Sequence, residues 1–223
     1  NQPIDYLANN IEKKLDESRS VLSNYVDCNK DDIVFFPNPS TAINMVAKSL
    51  KLNKDDEILS TNHEYGALIK TWKYICKKSS AKYIEYSPTL PLVSKEDFIK
   101  GFLDCITNKT KIIFISHITS STGLIFPVEE ICEVAKENGI FCIIDGAHVP
   151  GHIPLNIKKL NPDIYTGACH KWMCAPKGTS FLYAKREIQN DIDPLVVSWG
   201  YESKIPSHSK FLDYHQWQGT NDL

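Results

Sequence analysis

The sequence has no apolar run approaching the roughly 20 residues that a membrane helix needs, so the chain is expected to be soluble, with no membrane partner. It also has no long run of like charge. Lys and Arg number 25 against 27 Asp and Glu, a formal net charge of −2, which leaves no electrostatic footprint for nucleic acid or an anionic surface. No GxGxxG follows the first apolar run, which argues against a nicotinamide dehydrogenase. The seven cysteines are odd in number and show no CxxC spacing. Several fall in buried-looking segments, so they are expected to be reduced and the chain cytoplasmic. Internal repeats, low-complexity tracts and linkers are absent as well. Asn1-Gln2-Pro3 leads into a helix rather than a signal sequence, and a start without Met is what a piece of a longer protein would show.

What is present is ordinary globular material. A chain of 223 residues, 42% hydrophobic and 23% charged, can bury one sizeable core. Ile4, Leu7, Ala8, Ile11, Leu15, Leu22 and Tyr25 recur at three- and four-residue steps, which predicts an amphipathic helix within residues 1–30. Residues 31–223 are then expected to form the main domain. From Ile33 onward short apolar runs alternate with helical stretches: Ile33 to Phe36, Glu57 to Ser60, Tyr83 to Tyr86, Lys111 to Ser116, Phe141 to Ile144 and Asp163 to Thr166. Helices are expected from about Thr41 to Leu50, from Gly66 to Lys77, from near Ser94 and from Pro127 to Gly139. Strands apolar on both faces and separated by helices imply an α/β fold with a largely parallel, doubly covered sheet. A last strand, Thr179 to Ala184, lies close enough to its neighbour to pair without a crossover.

In such sheets ligands sit beyond the carboxyl ends of the strands, and five polar clusters fall there. Asn38-Pro39-Ser40-Thr41 opens a helix and suits an anion such as phosphate, or is a plain cap by Ser40. Asp145 closes an apolar strand and is followed by Gly146-Ala147-His148; a metal, a ribose, a pyridinium or a structural cation could each partner it. His170-Lys171 precedes the apolar Trp172-Met173, surroundings that would make the amine a usable nucleophile. His63-Glu64-Tyr65 offers an aromatic face on which a flat ring could stack. Ser116 to Gly123 is a hydroxyl-rich loop. Asp145, His148 and His152 could also be read as zinc ligands, although that leaves Lys171 and the phosphate-like turn unexplained.

Asp145-Gly146-Ala147-His148, with His170-Lys171 downstream and the segment from Tyr165 to Gly178, resembles the fold-type I pyridoxal phosphate enzymes of the class V aminotransferase family. The isopenicillin N epimerase-like branch is the nearest in pattern. The resemblance extends to Asn38 to Asn44 and to Glu64-Tyr65-Gly66-Ala67. It implies a three-layer sandwich around a mainly parallel seven-stranded sheet, and an enzyme acting at the alpha carbon of an amino acid as an epimerase, an aminotransferase or a carbon–sulfur lyase such as a cysteine desulfurase. It also implies that Lys171 bonds the cofactor aldehyde and later moves the alpha proton, while Asp145 holds the pyridine nitrogen protonated. Tyr65 would stack on the ring, His148 would reach its phenolic oxygen, and Ser40, Thr41 and His170 would hold the phosphate.

Two positions depart from the family pattern. Ala168 stands where many relatives carry a hydroxyl, and Ser120 stands where they carry Asn. Gln216 to Asn221 is similar to the family's Gly-Thr loop, which implies a homodimer with Thr220 reaching the neighbouring subunit's phosphate. The smaller C-terminal domain, with its substrate-binding arginine, is expected to lie beyond Leu223, so a catalytically incomplete cofactor-binding fragment is a further reading.

Overall fold

A computed structural model describes residues 10–216 together with 3, 5 and 6; Thr220 lies outside the described residues. Helix α1 (Ile11–Val26) precedes β1 (Ile33–Phe36), α2 (Pro39–Ser49), β2 (Glu57–Thr61), α3 (Gly66–Ser79), β3 (Lys82–Tyr86) and α4 (Lys95–Leu103). Then follow β4 (Thr110–Ser116), α5 (Val128–Glu137), β5 (Phe141–Asp145), α6 (Ile157–Leu160), β6 (Ile164–Ala168), β7 (Ser180–Ala184) and α7 (Lys210–Gln216).

The seven strands form one sheet in the order β1-β7-β6-β5-β4-β2-β3. β2, β3, β4, β5 and β6 pair in parallel, whereas β7 is antiparallel to both β6 and β1. A short return between β6 and β7 replaces a helical crossover, as antiparallel pairing permits.

Alternation along each strand divides the core between the two faces. Ile113, Ile115, Cys142, Ile144 and Tyr165 pack with α1, α4 and α5 through Val26, Phe102 and Ile131. Ile112, Phe114, Ile143, Ile164 and Leu182 pack with α2 and α3 through Ile43, Val46 and Trp72. Strands apolar on both faces are thus covered on both faces, which gives three layers.

Several boundaries shift from the sequence reading for local reasons. Helix α2 starts at Pro39, where a missing N–H costs nothing, and its cap is Asn38, whose Oδ1 accepts from the Thr41 N–H at 2.8 Å. Ser40 is therefore not the cap. Helix α5 starts one residue after Pro127, and Gly139 follows it with φ +63°. In α1 the buried side is Arg19, Leu22, Ser23 and Val26. Tyr25, placed on the apolar stripe by periodicity, is exposed instead, and its hydroxyl accepts from the Gly151 N–H. Ile4, Leu7 and Ala8 lie outside the described residues.

Candidate active site

Because β1 runs with β6, the carboxyl ends of β1, β2, β4, β5 and β6 meet at one edge of the sheet. A cavity of about 130 Å³ opens there, lined by Ser40, Tyr65, Ser116, Ser120, Asp145, His148, His170 and Lys171 with Asn38 and Leu68. Seven of the nine residues singled out in the sequence therefore share one wall. Thr41 is not on that wall: its Oγ1 is turned onto Asn38 Oδ1 at 3.0 Å. Thr220 falls outside the described residues. A larger cavity, of 860 Å³, lies elsewhere, between Phe98, Phe126 and Leu155, with His117 on its wall.

Asp145 is the last residue of β5, in register with Ser116 of β4 and Thr166 of β6. It is buried, and its Oδ1 accepts from the Ala147 N–H at 3.0 Å. Burial pushes its pKa up, while the Ala147 N–H and the Lys171 charge pull it back. The turn after it is possible because residue 146 is Gly: a Cβ there would overlap the Tyr165 ring.

Lys171 lies in the loop joining β6 to β7. Its half-buried amine has a pKa lowered by desolvation and partly restored by Asp145. Nζ stands 3.0 Å from His148 Nε2, and the Trp172 indole N–H donates to His148 Nδ1 at 3.3 Å. Desolvation, then the charges of Lys171 and His152, lower the His148 pKa. His170 gives its Nδ1 proton to the Thr179 carbonyl at 2.8 Å. It can therefore donate to an anion from Nε2 only when the ring carries both protons.

The hydroxyl missing at Ala168 is not replaced from nearby. Thr166 Oγ1 donates to the Phe181 carbonyl and Ser180 Oγ to the Gly167 carbonyl. Ser40, Ser120, His170 and the start of α2 face the cavity as groups that suit an anion. The zinc reading finds no support: His152 turns its Nδ1 to the His148 carbonyl, and no cluster of three metal-ligating side chains exists among the described residues.

One residue given no role by the sequence is Glu64. It is buried behind the cavity, where Ser116 Oγ donates to Oε2 at 2.5 Å and Thr61 Oγ1 to Oε1 at 2.7 Å. Desolvation, with a contribution from Asp145, pushes its pKa from 4.5 to about 8. The native state then holds this proton more tightly than the unfolded chain does. The associated stability is present below about pH 4.5 and is lost as pH rises toward 8. Thermal melts of the cofactor-free protein are expected to show Tm falling over that range, and Glu64→Gln should flatten the slope. An unchanged slope in the variant would assign it to other groups, Asp145 foremost.

A family model for aminotransferase class-V matches residues 3–218. The isopenicillin N epimerase of Streptomyces clavuligerus is 32% identical over 202 residues, which is 90% of this chain and 50% of the epimerase. The apo structure of a cysteine desulfurase from Thermococcus onnurineus matches with a TM-score of 0.76 at 26% identity, over 84% of this chain and 46% of that one. A C-DES variant with glycine covalently linked to its PLP cofactor shares the fold, with a TM-score of 0.78 at 22% identity, over 96% of this chain and 63% of that one. The chain spans about half the length of the curated relatives it matches. With the family model covering nearly all of its residues, the chain belongs to the class-V aminotransferase family.

Proposed function

We propose that this chain is the cofactor-binding part of an enzyme that uses pyridoxal 5′-phosphate to act at the alpha carbon of an amino acid. The observation that carries the reading is the convergence of Lys171, Asp145, His148, Tyr65 and Ser40 on one small cavity. The donor set suits the cofactor: a desolvated amine for an aldehyde, a buried carboxylate for a ring nitrogen, an exposed aromatic face, and hydroxyls at a helix start for a phosphate. At 130 Å³ the cavity is smaller than the roughly 300–1,000 Å³ of complete ligand sites and is open at Tyr65 and Ser120. This supports a site finished by further protein.

When bound, the cofactor supplies an electron sink for the alpha carbon. In this reading Lys171 would hold the cofactor through its aldehyde and would be the group that carries the alpha proton. Asp145 keeps a proton on the ring nitrogen, and its burial makes that charge pair strong. Tyr65 covers one ring face and His148 meets the phenolic oxygen. Ser40, Ser120 and His170 would take the phosphate, with Thr41 bonded to the Asn38 cap at the same helix start. Residues 31–223 form the cofactor domain and residues 1–30 a helical extension on it; Leu22 and Val26 sink into the same core as Ile33.

The test is borohydride reduction of the loaded protein followed by peptide mapping. The cofactor is expected on Lys171, and its recovery on another lysine would reject the assignment. Epimerase-like or aminotransferase chemistry is the leading reading, because the epimerase relative aligns with 90% of the chain. The desulfurase structure favours a second, carbon–sulfur bond cleavage. A panel of amino acids assayed for inverted substrate, keto acid and sulfide is expected to give inverted substrate or keto acid; sulfide from cysteine would move the protein to the lyase branch. If the chain is assayed without the other half that its relatives possess, it is expected to bind the cofactor and turn over nothing.

A homodimer, with Thr220 serving the neighbouring site, is also part of the proposal. Its support is the apolar surface of Val197, Trp199 and Ile205, which are 65%, 75% and 90% exposed. Sedimentation equilibrium is expected to give twice the chain mass; a monomer would remove Thr220 from the site. Seven unpaired cysteines suit a reducing, cytoplasmic setting.

A further inference from the structure

We propose that Trp172 is a positioning residue that fixes His148 in the tautomer with its proton on Nε2, and so holds the Lys171 amine uncharged with its lone pair facing the ring. The inference deepens the reading of this cavity as a pyridoxal phosphate site and rests on it for its purpose, but its geometry stands alone.

The argument is a count of donors and lone pairs. An indole N–H can only donate, and it points at His148 Nδ1. Nδ1 must therefore offer a lone pair, which in a neutral imidazole places the proton on Nε2. That Nε2–H faces Lys171 Nζ at 3.0 Å. An ammonium has three donors and no acceptor, so two donors would oppose each other if Lys171 were charged. A neutral amine accepts the bond. The reverse arrangement, a charged lysine donating to Nε2, needs the proton on Nδ1, where the indole already donates.

Two contacts hold Trp172 for this task. His152 packs on it with ring centroids 4.7 Å apart and planes 38° apart. The His152 ring is itself tied to the His148 carbonyl at 3.1 Å. Gly151, at φ +80°, lets the backbone of Trp172 and Met173 approach so closely that a Cβ would meet the Trp172 carbonyl at 2.7 Å. Around His148 the ionisable neighbours are Lys171 and His152, and Asp145 acts on Lys171. Asp145 is the one of these that favours a charged lysine; the indole and the imidazole work against it.

The test uses cofactor-free, ¹⁵N-labelled full-length protein, so that it does not depend on cofactor capture. Long-range ¹H–¹⁵N spectra of the His148 ring at neutral pH are expected to show a protonated Nε2 and a bare Nδ1. Trp172→Phe, which keeps the stacking on His152 and deletes the donor, should give mixed tautomers. It should also slow acylation of Lys171 by acetic anhydride roughly two- to tenfold, the equivalent of one hydrogen bond. A wild-type ring protonated on Nδ1, or a Trp172→Phe ring with an unchanged tautomer, overturns the proposal. The first of these measurements needs no variant to fold. Borohydride labelling separates the two readings: cofactor on Lys171 beside an Nδ1-protonated ring rejects the Trp172 role alone, whereas the expected tautomer without captured cofactor upholds that role and rejects the cofactor alone.

Discussion

In the complete enzyme, Lys171→Ala is expected to give a folded protein that carries no reducible vitamin B6 adduct and turns over no amino acid above background. The loss should be on the order of a thousand-fold or more, since a covalent anchor and a proton carrier vanish together. The fold should survive because the half-buried side chain's hydrogen bond is to His148, at the mouth of the site and away from either face of the core. Visible spectra before and after borohydride, with circular dichroism as the control for folding, decide the matter. A variant with an unaltered chromophore would falsify the assignment of the anchoring lysine.

Asp145→Asn should separate function from stability. Loss of the ring-nitrogen charge partner is expected to reduce turnover by about 10²- to 10³-fold, the usual scale for removing one preorganised electrostatic contact. In the cofactor-free protein the same change should raise Tm at neutral pH. The carboxylate is 4% exposed and accepts a hydrogen bond from the Ala147 N–H, and burying an ion so poorly partnered is unfavourable. With its native pKa raised, Asp145 withdraws stability as pH climbs past the ordinary carboxylate range. The gain from Asn should accordingly fade in acid. Turnover at the wild-type level, or a Tm below wild type at neutral pH, would count against this account.

The sheet and its layers were legible because β4 and β5 carry unbroken apolar runs, Ile112 to Ile115 and Phe141 to Ile144, a pattern that suits a doubly covered strand. What the sequence concealed was short or non-local. Helix α6 has four residues and is set by its Asn156 cap rather than by periodicity. Helix α7 has seven residues, one turn of which could not announce itself. Periodicity placed Tyr25 inward, but the turn carrying Gly151 supplies a partner at the surface.

Residue type was enough to single out Asp145, His148 and Lys171, which the structure brings to one cavity, because a carboxylate, an imidazole and an amine at strand ends are conspicuous. It was not enough for Glu64, whose partner Ser116 is 52 positions away, or for Trp172, whose partner His148 is 24 positions away. In the sequence Trp172 reads as apolar surroundings for the lysine, whereas in the structure its indole N–H donates to His148 Nδ1. Ser40 was weighed as a helix cap, but Asn38 takes that position and leaves the Ser40 hydroxyl free for the cavity.

The pairing of the first strand with the last bears on how the chain is made. Ile33 finds its partner in Tyr183, so β1 and the Ser40 turn that follows it cannot dock until almost the whole described chain has left the ribosome. Contacts so distant in sequence slow folding, and in the interval an apolar β1 is exposed to stray pairing. Late completion of the cavity wall at Ser40 follows from that one antiparallel neighbour.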